Sequence, residues 1–250
     1  MVAAAAAPAV LGAQAAPTRV MIRVTAHDAK IIGSGVGGAR VTVRDAGTGE
    51  ILAEGVQEGS TGNTRGIMVT PRTRGATVFD TEGAAGYLAS LQLDQPTVVE
   101  ISVEGPLGDP QGARRASKTV LVVPGHDIVG EGVVIEVLGH TVRLLAPTAD
   151  QGLIAGVPFT VEASVTMLCG CPTEPGGLWN ADDIVVQARV VAEGREVARR
   201  SLRFAETRNM FAGELVILEP GEYQLEVLAM NDATGNHGMA TRSLEIGESR

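Results

Sequence analysis

The alternation of apolar and polar residues is the strongest constraint on how this chain folds. Val20, Ile22 and Val24 alternate with Met21, Arg23 and Thr25. Ala39, Val41 and Val43 alternate with Arg40, Thr42 and Arg44. Phe159, Val161, Ala163, Val165 and Met167 share one parity, and Thr160, Glu162, Ser164 and Thr166 the other. A period of two belongs to a strand with one buried face. The 32 glycines and 12 prolines cut these runs into short pieces, which favours many short strands over helices. No segment shows a helical period over a convincing length. The sequence therefore predicts an all-β fold.

Two units are expected. Residues 17–138 hold the first alternating runs, with strands predicted at 86–93, 97–103, 118–123 and 132–138. In GVGGARVTVRDAGTGEILAEG (35–55), Asp45-Ala46-Gly47-Thr48-Gly49 supplies the turn of a hairpin. This stretch resembles the carboxypeptidase-regulatory-like (transthyretin-like) β-sandwich module. The turn that follows in that family is replaced here by GVQEGSTGNTRGIMVTPRTRG, which predicts an extended loop over 55–75. The second unit, 139–250, opens on HTVRLLAPTADQGLIAGVPFTVEASVTM and closes on EPGEYQLEVLAMNDATGNHGMATRSLEI. It resembles a bacterial immunoglobulin-like domain. That resemblance implies a corner role for Tyr223 near the start of the penultimate strand. The standard bridge of such domains has no partner, because the position two residues after Tyr223 is Leu225. The expectation is two tandem β-sandwich domains.

The start of the chain, MVAAAAAPAVLGAQAAPTRV, carries a short apolar run and an A-x-A pattern at Ala13-Gln14-Ala15, but no basic residue before the run. Residues 1–16 read as a signal-like or disordered tail. No stretch reaches the ~18 apolar residues that a membrane helix needs. The expected location is periplasmic or extracellular. A net charge of −9, with no basic patch, argues against nucleic acid or anionic lipid as partner.

The two cysteines lie in MLCGCP (167–172), spaced C-x-C. Three readings are open. The first is structural, as buried thiols or as a Cys169–Cys171 disulfide. Residues i and i+2 of an extended strand sit roughly 6.6–7.2 Å apart, so a bridge needs Gly170 to bend the chain. The second is a metal site. Counting strands brings the loops 171–182, 206–210 and 231–238 to one end of the sandwich, with Met210 and Met230 nearby. Met167, Cys169, Cys171, His237 and Met239 would offer a soft ligand set, suited to copper ahead of zinc, with Asp232 or water completing a zinc site. The third is a redox pair. Calcium is a weaker expectation, from Asp182, Asp183, Asn231, Asp232 and Asn236, because the same residues are ordinary turn formers. Trp179, the only tryptophan, is either a protein-contact anchor or a lid over the cysteine end.

Gly33-Ser34-Gly35-Val36-Gly37-Gly38 matches G-x-G-x-x-G but precedes a strand, so it reads as a turn and not as a dinucleotide site. Arg114 and Arg115 read as a solvated loop rim. His27, His126, His140 and His237 are scattered, with His140 at the unit junction in a packing role. No nucleophile elbow, zinc-protease or P-loop pattern is present. The reading is a non-catalytic accessory subunit that docks on a protein or a membrane-attached complex. A copper-binding or copper-delivery protein is the alternative, and a redox or hydrolytic enzyme ranks third.

Overall fold

A computed structural model describes residues 16–248. The expected leader falls, except for Ala16, outside the described residues. The N-terminal unit has seven strands: β1 (Thr18–Ala26), β2 (Ala39–Asp45), β3 (Ile51–Gln57), β4 (Tyr87–Leu91), β5 (Thr97–Gly105), β6 (Arg114–Val122) and β7 (Ile128–Val137). They form two sheets, ordered β4-β1-β7 and β3-β2-β5-β6. β1 pairs antiparallel with β4 and parallel with β7, and the second sheet is antiparallel throughout. Inward residues of both sheets, among them Val20, Ile22, Val24, Val41, Val43, Val99, Ile101 and Ile135, make one apolar core. This is the layered sandwich that alternating strands dictate.

Two local expectations change. β6 begins at Arg114, so Arg114 and Arg115 belong to a strand and not to a loop rim, with Arg115 paired to Glu104 across from β5. The segment between β3 and β4 is more than an extended loop. It carries a single π-helical turn at Arg65–Val69 and packs Ile67, Phe79 and Ala85 against Ile31 in a small core of its own. It also covers the outer face of β1. There Arg23, 4% exposed, donates to the Ala84 and Ala85 carbonyls and to Asp80. A charged residue on a nominally solvent-facing parity is thus buried and paired, as buried charge requires.

Gln57 closes the end of β3. Its side chain is fully buried. The amide accepts from the Val24 N–H at 2.7 Å and donates to the carbonyls of Val24 and Ile32 at 3.0 and 2.8 Å. The G-x-G-x-x-G stretch forms a 3-10 turn at Ser34–Val36 and leads into β2. At Gly38, φ is +68° and a Cβ would lie 2.2 Å from the Gln57 carbonyl oxygen, so only glycine fits this approach.

The C-terminal unit has eight strands: β8 (His140–Ala146), β9 (Leu153–Ile154), β10 (Phe159–Met167), β11 (Val185–Ala192), β12 (Arg195–Phe204), β13 (Met210–Leu215), β14 (Gly221–Asn231) and β15 (Asn236–Gly247). Their order is β8-β10-β13-β12-β11-β14-β15-β9. β12 belongs to both layers. Arg195–Leu202 pairs with β11, and Arg203 and Phe204 pair with β13. One layer is therefore β8-β10-β13 and the other is β11-β14-β15-β9, with β12 as the crossing strand. Val161, Ala163, Val165, Val186, Ala188, Val190, Leu225 and Val227 fill the space between them. The Tyr223 hydroxyl donates to the Glu219 carbonyl at 3.0 Å, a corner that returns to the backbone four residues upstream. This layering makes the unit an immunoglobulin-like sandwich. No helix among the described residues is long and apolar enough to cross a membrane.

Candidate functional site: the joint between the sandwiches

The period of β10 stops at Met167, and the turn that follows leaves its own sandwich. Gly170 N–H donates to the Met167 carbonyl and Met167 N–H to the Cys171 carbonyl. Gly170 takes φ +76°, which folds the chain back on itself. Cys169 and Cys171 are bonded to each other, with their Cα atoms 5.4 Å apart. The bend thus brings the pair inside the distance a disulfide requires, as a straight strand would not.

Met167, Leu168, Cys169 and Cys171 are all buried, and they pack into the core cluster of the N-terminal unit. The strand parity correctly makes Cys169 and Cys171 inward, but toward the neighbouring sandwich. A Cβ on Gly170 would come within 2.6 Å of the Val36 side chain, so the turn sits directly against the 3-10 turn that precedes β2. The second sandwich in this way supplies a plug for the end of the first.

Polar contacts fasten the same joint. Trp179 packs half-buried on the N-terminal core, and its indole N–H donates to the Asp28 carbonyl at 2.9 Å. Asn236 is fully buried. It accepts from Gly139 N–H at 2.8 Å and donates to the His27 carbonyl at 3.1 Å. Thr241 N–H donates to Gln111, and Arg143 pairs with the buried Asp109 at 2.9 Å. Thr173 and Asn209 exchange hydrogen bonds, which ties loop 171–182 to loop 206–210.

The five residues expected to bind metal do not converge as a set. The sulfurs of Cys169 and Cys171 are joined, so neither offers a thiolate. On β15, Asn236, Gly238 and Ala240 face inward, while His237 and Met239 take the opposite, exposed face. Met167 points the other way, into the core. Two of the five residues proposed for calcium have their side-chain oxygens committed elsewhere. Asn231 accepts from the Ala233 and Thr234 N–H groups, and Asn236 is held as described. Among the described residues no group of three or more His, Cys, Asp or Glu side chains is placed to hold a metal ion.

Sequence reasoning missed His140 as a chemical group. It is 1% exposed, and neither ring nitrogen has a hydrogen-bond partner. The Thr166 backbone lies beside the ring and favours its protonated form, without reaching hydrogen-bond geometry. Burial outweighs this and, helped by the charge of His237, pushes the imidazole down to about 4. The ring borders a cavity of about 110 Å³ between the two units, which Met167, Trp179, Asp28 and Asp183 also line. The only signal in the sequence was its place at the junction.

Opening the disulfide is expected to cost little. Closing a loop this short is worth about 1–2 kcal/mol on loop-entropy grounds. Reduction, which keeps both side chains in place, should therefore leave both sandwiches folded and shift a denaturant titration by that amount. A loss above ~4 kcal/mol, the scale set for loops of a hundred residues, would mean that covalent closure, and not packing, holds the joint.

No family model and no curated protein matches the chain. Solved structures to which it is similar include an engineered protein, at 16% identity over 52% of this chain with a TM-score of 0.30, of which it spans only 24%. They include the fibronectin(III)-like modules of Clostridium thermocellum CbhA, at 11% identity over 92% of this chain and 91% of that one, with a TM-score of 0.31. An ICAM-5 D1–D4 ectodomain fragment is similar at 13% identity over 84% of this chain and 46% of its own length, with a TM-score of 0.30.

Proposed function

We propose that the chain is a non-catalytic binding or structural accessory subunit that works outside the cytoplasm, in the periplasm or extracellular space, docked on a protein or a membrane-attached complex. The observation that carries this reading is the joint. The turn at Met167–Cys171 is buried in the core of the neighbouring sandwich, and Trp179, Asn236 and Thr241 hydrogen-bond across the same boundary. Two sandwiches fixed in this way present their loops in one constant arrangement, so little orientational freedom is lost when a partner binds. The disulfide supports an oxidising compartment, where such bonds persist.

The segment between β3 and β4 is the docking surface this reading favours. Arg65, Arg72 and Arg74 are exposed there, without a carboxylate partner among the described residues, beside Val69 at 61% exposure. Exposed guanidinium groups of this kind suit carboxylates on a partner protein. The test is crosslinked capture from the native compartment with the wild-type chain and with Arg65→Glu/Arg72→Glu/Arg74→Glu. A partner recovered stoichiometrically by the wild type and lost with the triple variant is the expected result. A clean monomer with no partner would overturn the proposal.

A further inference from the structure

We infer that His140 and Met167 form a binding site for one soft monovalent cation of the Cu(I) class, at the bottom of the cavity between the two sandwiches. Four observations carry this beyond an accessory role. First, His140 and Met167 are direct cross-strand partners of β8 and β10. Directly opposed residues project to the same side of a sheet with Cβ atoms ~4.5–5.5 Å apart, close enough for an imidazole nitrogen and a thioether sulfur to share one ion. Second, both nitrogens of the buried imidazole lack a protein partner, and the ring faces a cavity. A buried polar group without a partner is rare and points to a missing ligand or water.

Third, the cavity has about 110 Å³, well above the ~10–15 Å³ that one water needs, so it admits an ion with residual solvent but no organic molecule of size. Fourth, its lining suits a cation. Asp28 and Asp183 stand at the exposed rim, and the Trp179 ring forms a wall. Imidazole with thioether is a soft donor pair, which selects Cu(I) over calcium or magnesium. The imidazole stays neutral at physiological pH, the state in which it ligates. The cysteines take no part, because their sulfurs are joined.

The probe is Ag(I), a redox-inert stand-in, added to the full chain with the disulfide intact. Binding is followed by equilibrium dialysis and by the fluorescence of Trp179, the single tryptophan. We expect one Ag(I) per chain with a change in Trp179 emission. Met167→Leu, which conserves volume, and His140→Gln should each weaken binding at least ~tenfold while the circular dichroism stays native; tenfold corresponds to one donor bond's worth of ~1.4 kcal/mol. His237→Gln with Met239→Leu should bind as the wild type does. Absence of stoichiometric binding overturns the site. So does unchanged affinity in both inner variants, loss confined to the His237/Met239 variant, or uptake only after the disulfide is reduced.

Discussion

Gln57→Leu is expected to destabilise the N-terminal sandwich by about 2–6 kcal/mol, because it leaves two buried backbone groups without partners at ~1–3 kcal/mol each. The side chain is fully buried, and its amide bonds the Val24 N–H and the Ile32 carbonyl directly. The Val24 carbonyl is less exposed to loss, since it also accepts from Ile32 N–H. Leucine fills nearly the same volume, so the change isolates the hydrogen bonds from the packing. For a chain of this length each kcal/mol lost should lower the unfolding temperature by roughly 2–4 °C. Gln57→Glu keeps the acceptor but buries a charge, and should be at least as damaging. A change in denaturation free energy below ~0.5 kcal/mol, the range of ordinary surface substitutions, would show that the amide does not hold β1, β3 and the residue-32 turn together.

The second large effect is a loss of stability on mild acidification. His140 titrates near 4 in the folded chain and at its ordinary 6.5 when unfolded. Above pH 6.5 both states are neutral and the stability is fully present. Between pH 6.5 and 4 the unfolded chain binds a proton that the folded chain refuses, so stability falls. Below pH 4 this loss is complete. A depression of this size corresponds to roughly 3 kcal/mol. His237 adds to the effect, while Asp28 and Asp183 at the cavity rim face the same space.

Carboxylates whose pKa is lowered in the fold act in a different window. Asp45 and Asp127 are held down by backbone hydrogen bonds, and Glu196 by its hydrogen bond from Arg199. Their contribution is present above the ordinary carboxylate range and disappears only as pH falls below it. Denaturant midpoints at pH 7.5, 5.5 and 4.5 should therefore fall for the wild type and stay nearly level for His140→Gln. Parallel curves for the two proteins would remove His140 as the cause.

How far the sequence reaches is clear from individual residues. The apolar parity of β1, β2, β5 and β10 was legible because one face of each strand is buried and a one-residue slip would reverse it. The corner at Tyr223 was legible because its chain neighbours carry the pattern. Arg23 was not, because its parity says solvent and a distant loop covers it. The limit is sharpest at Met167–Cys171. Alternation places the sulfurs inward, and Gly170 permits the bend, yet the core they enter is built by strands of the preceding unit, from Val20 to Val137. Trp179 and Asn236 are tied to backbone carbonyls 151 and 209 residues away. Such contacts leave no local periodicity. His140 was hidden for the same reason, since an unpartnered imidazole is a property of its surroundings.

The plug at Met167–Cys171 also bears on how the chain is made. A polypeptide emerges from the ribosome N-terminus first, and domains generally fold as units in that order. Here the last strand of the first sandwich, β7, ends at Val137, but part of that sandwich's core is Leu168, Cys169 and Cys171. A first sandwich that folds before the second is complete would therefore carry an apolar hollow at one end. The hollow would stay open until β8 and β10 have been synthesised and the cysteine turn arrives. The earlier-made half depends on the later-made half for its final packing, and the nascent chain must be kept from associating through that hollow in the interval.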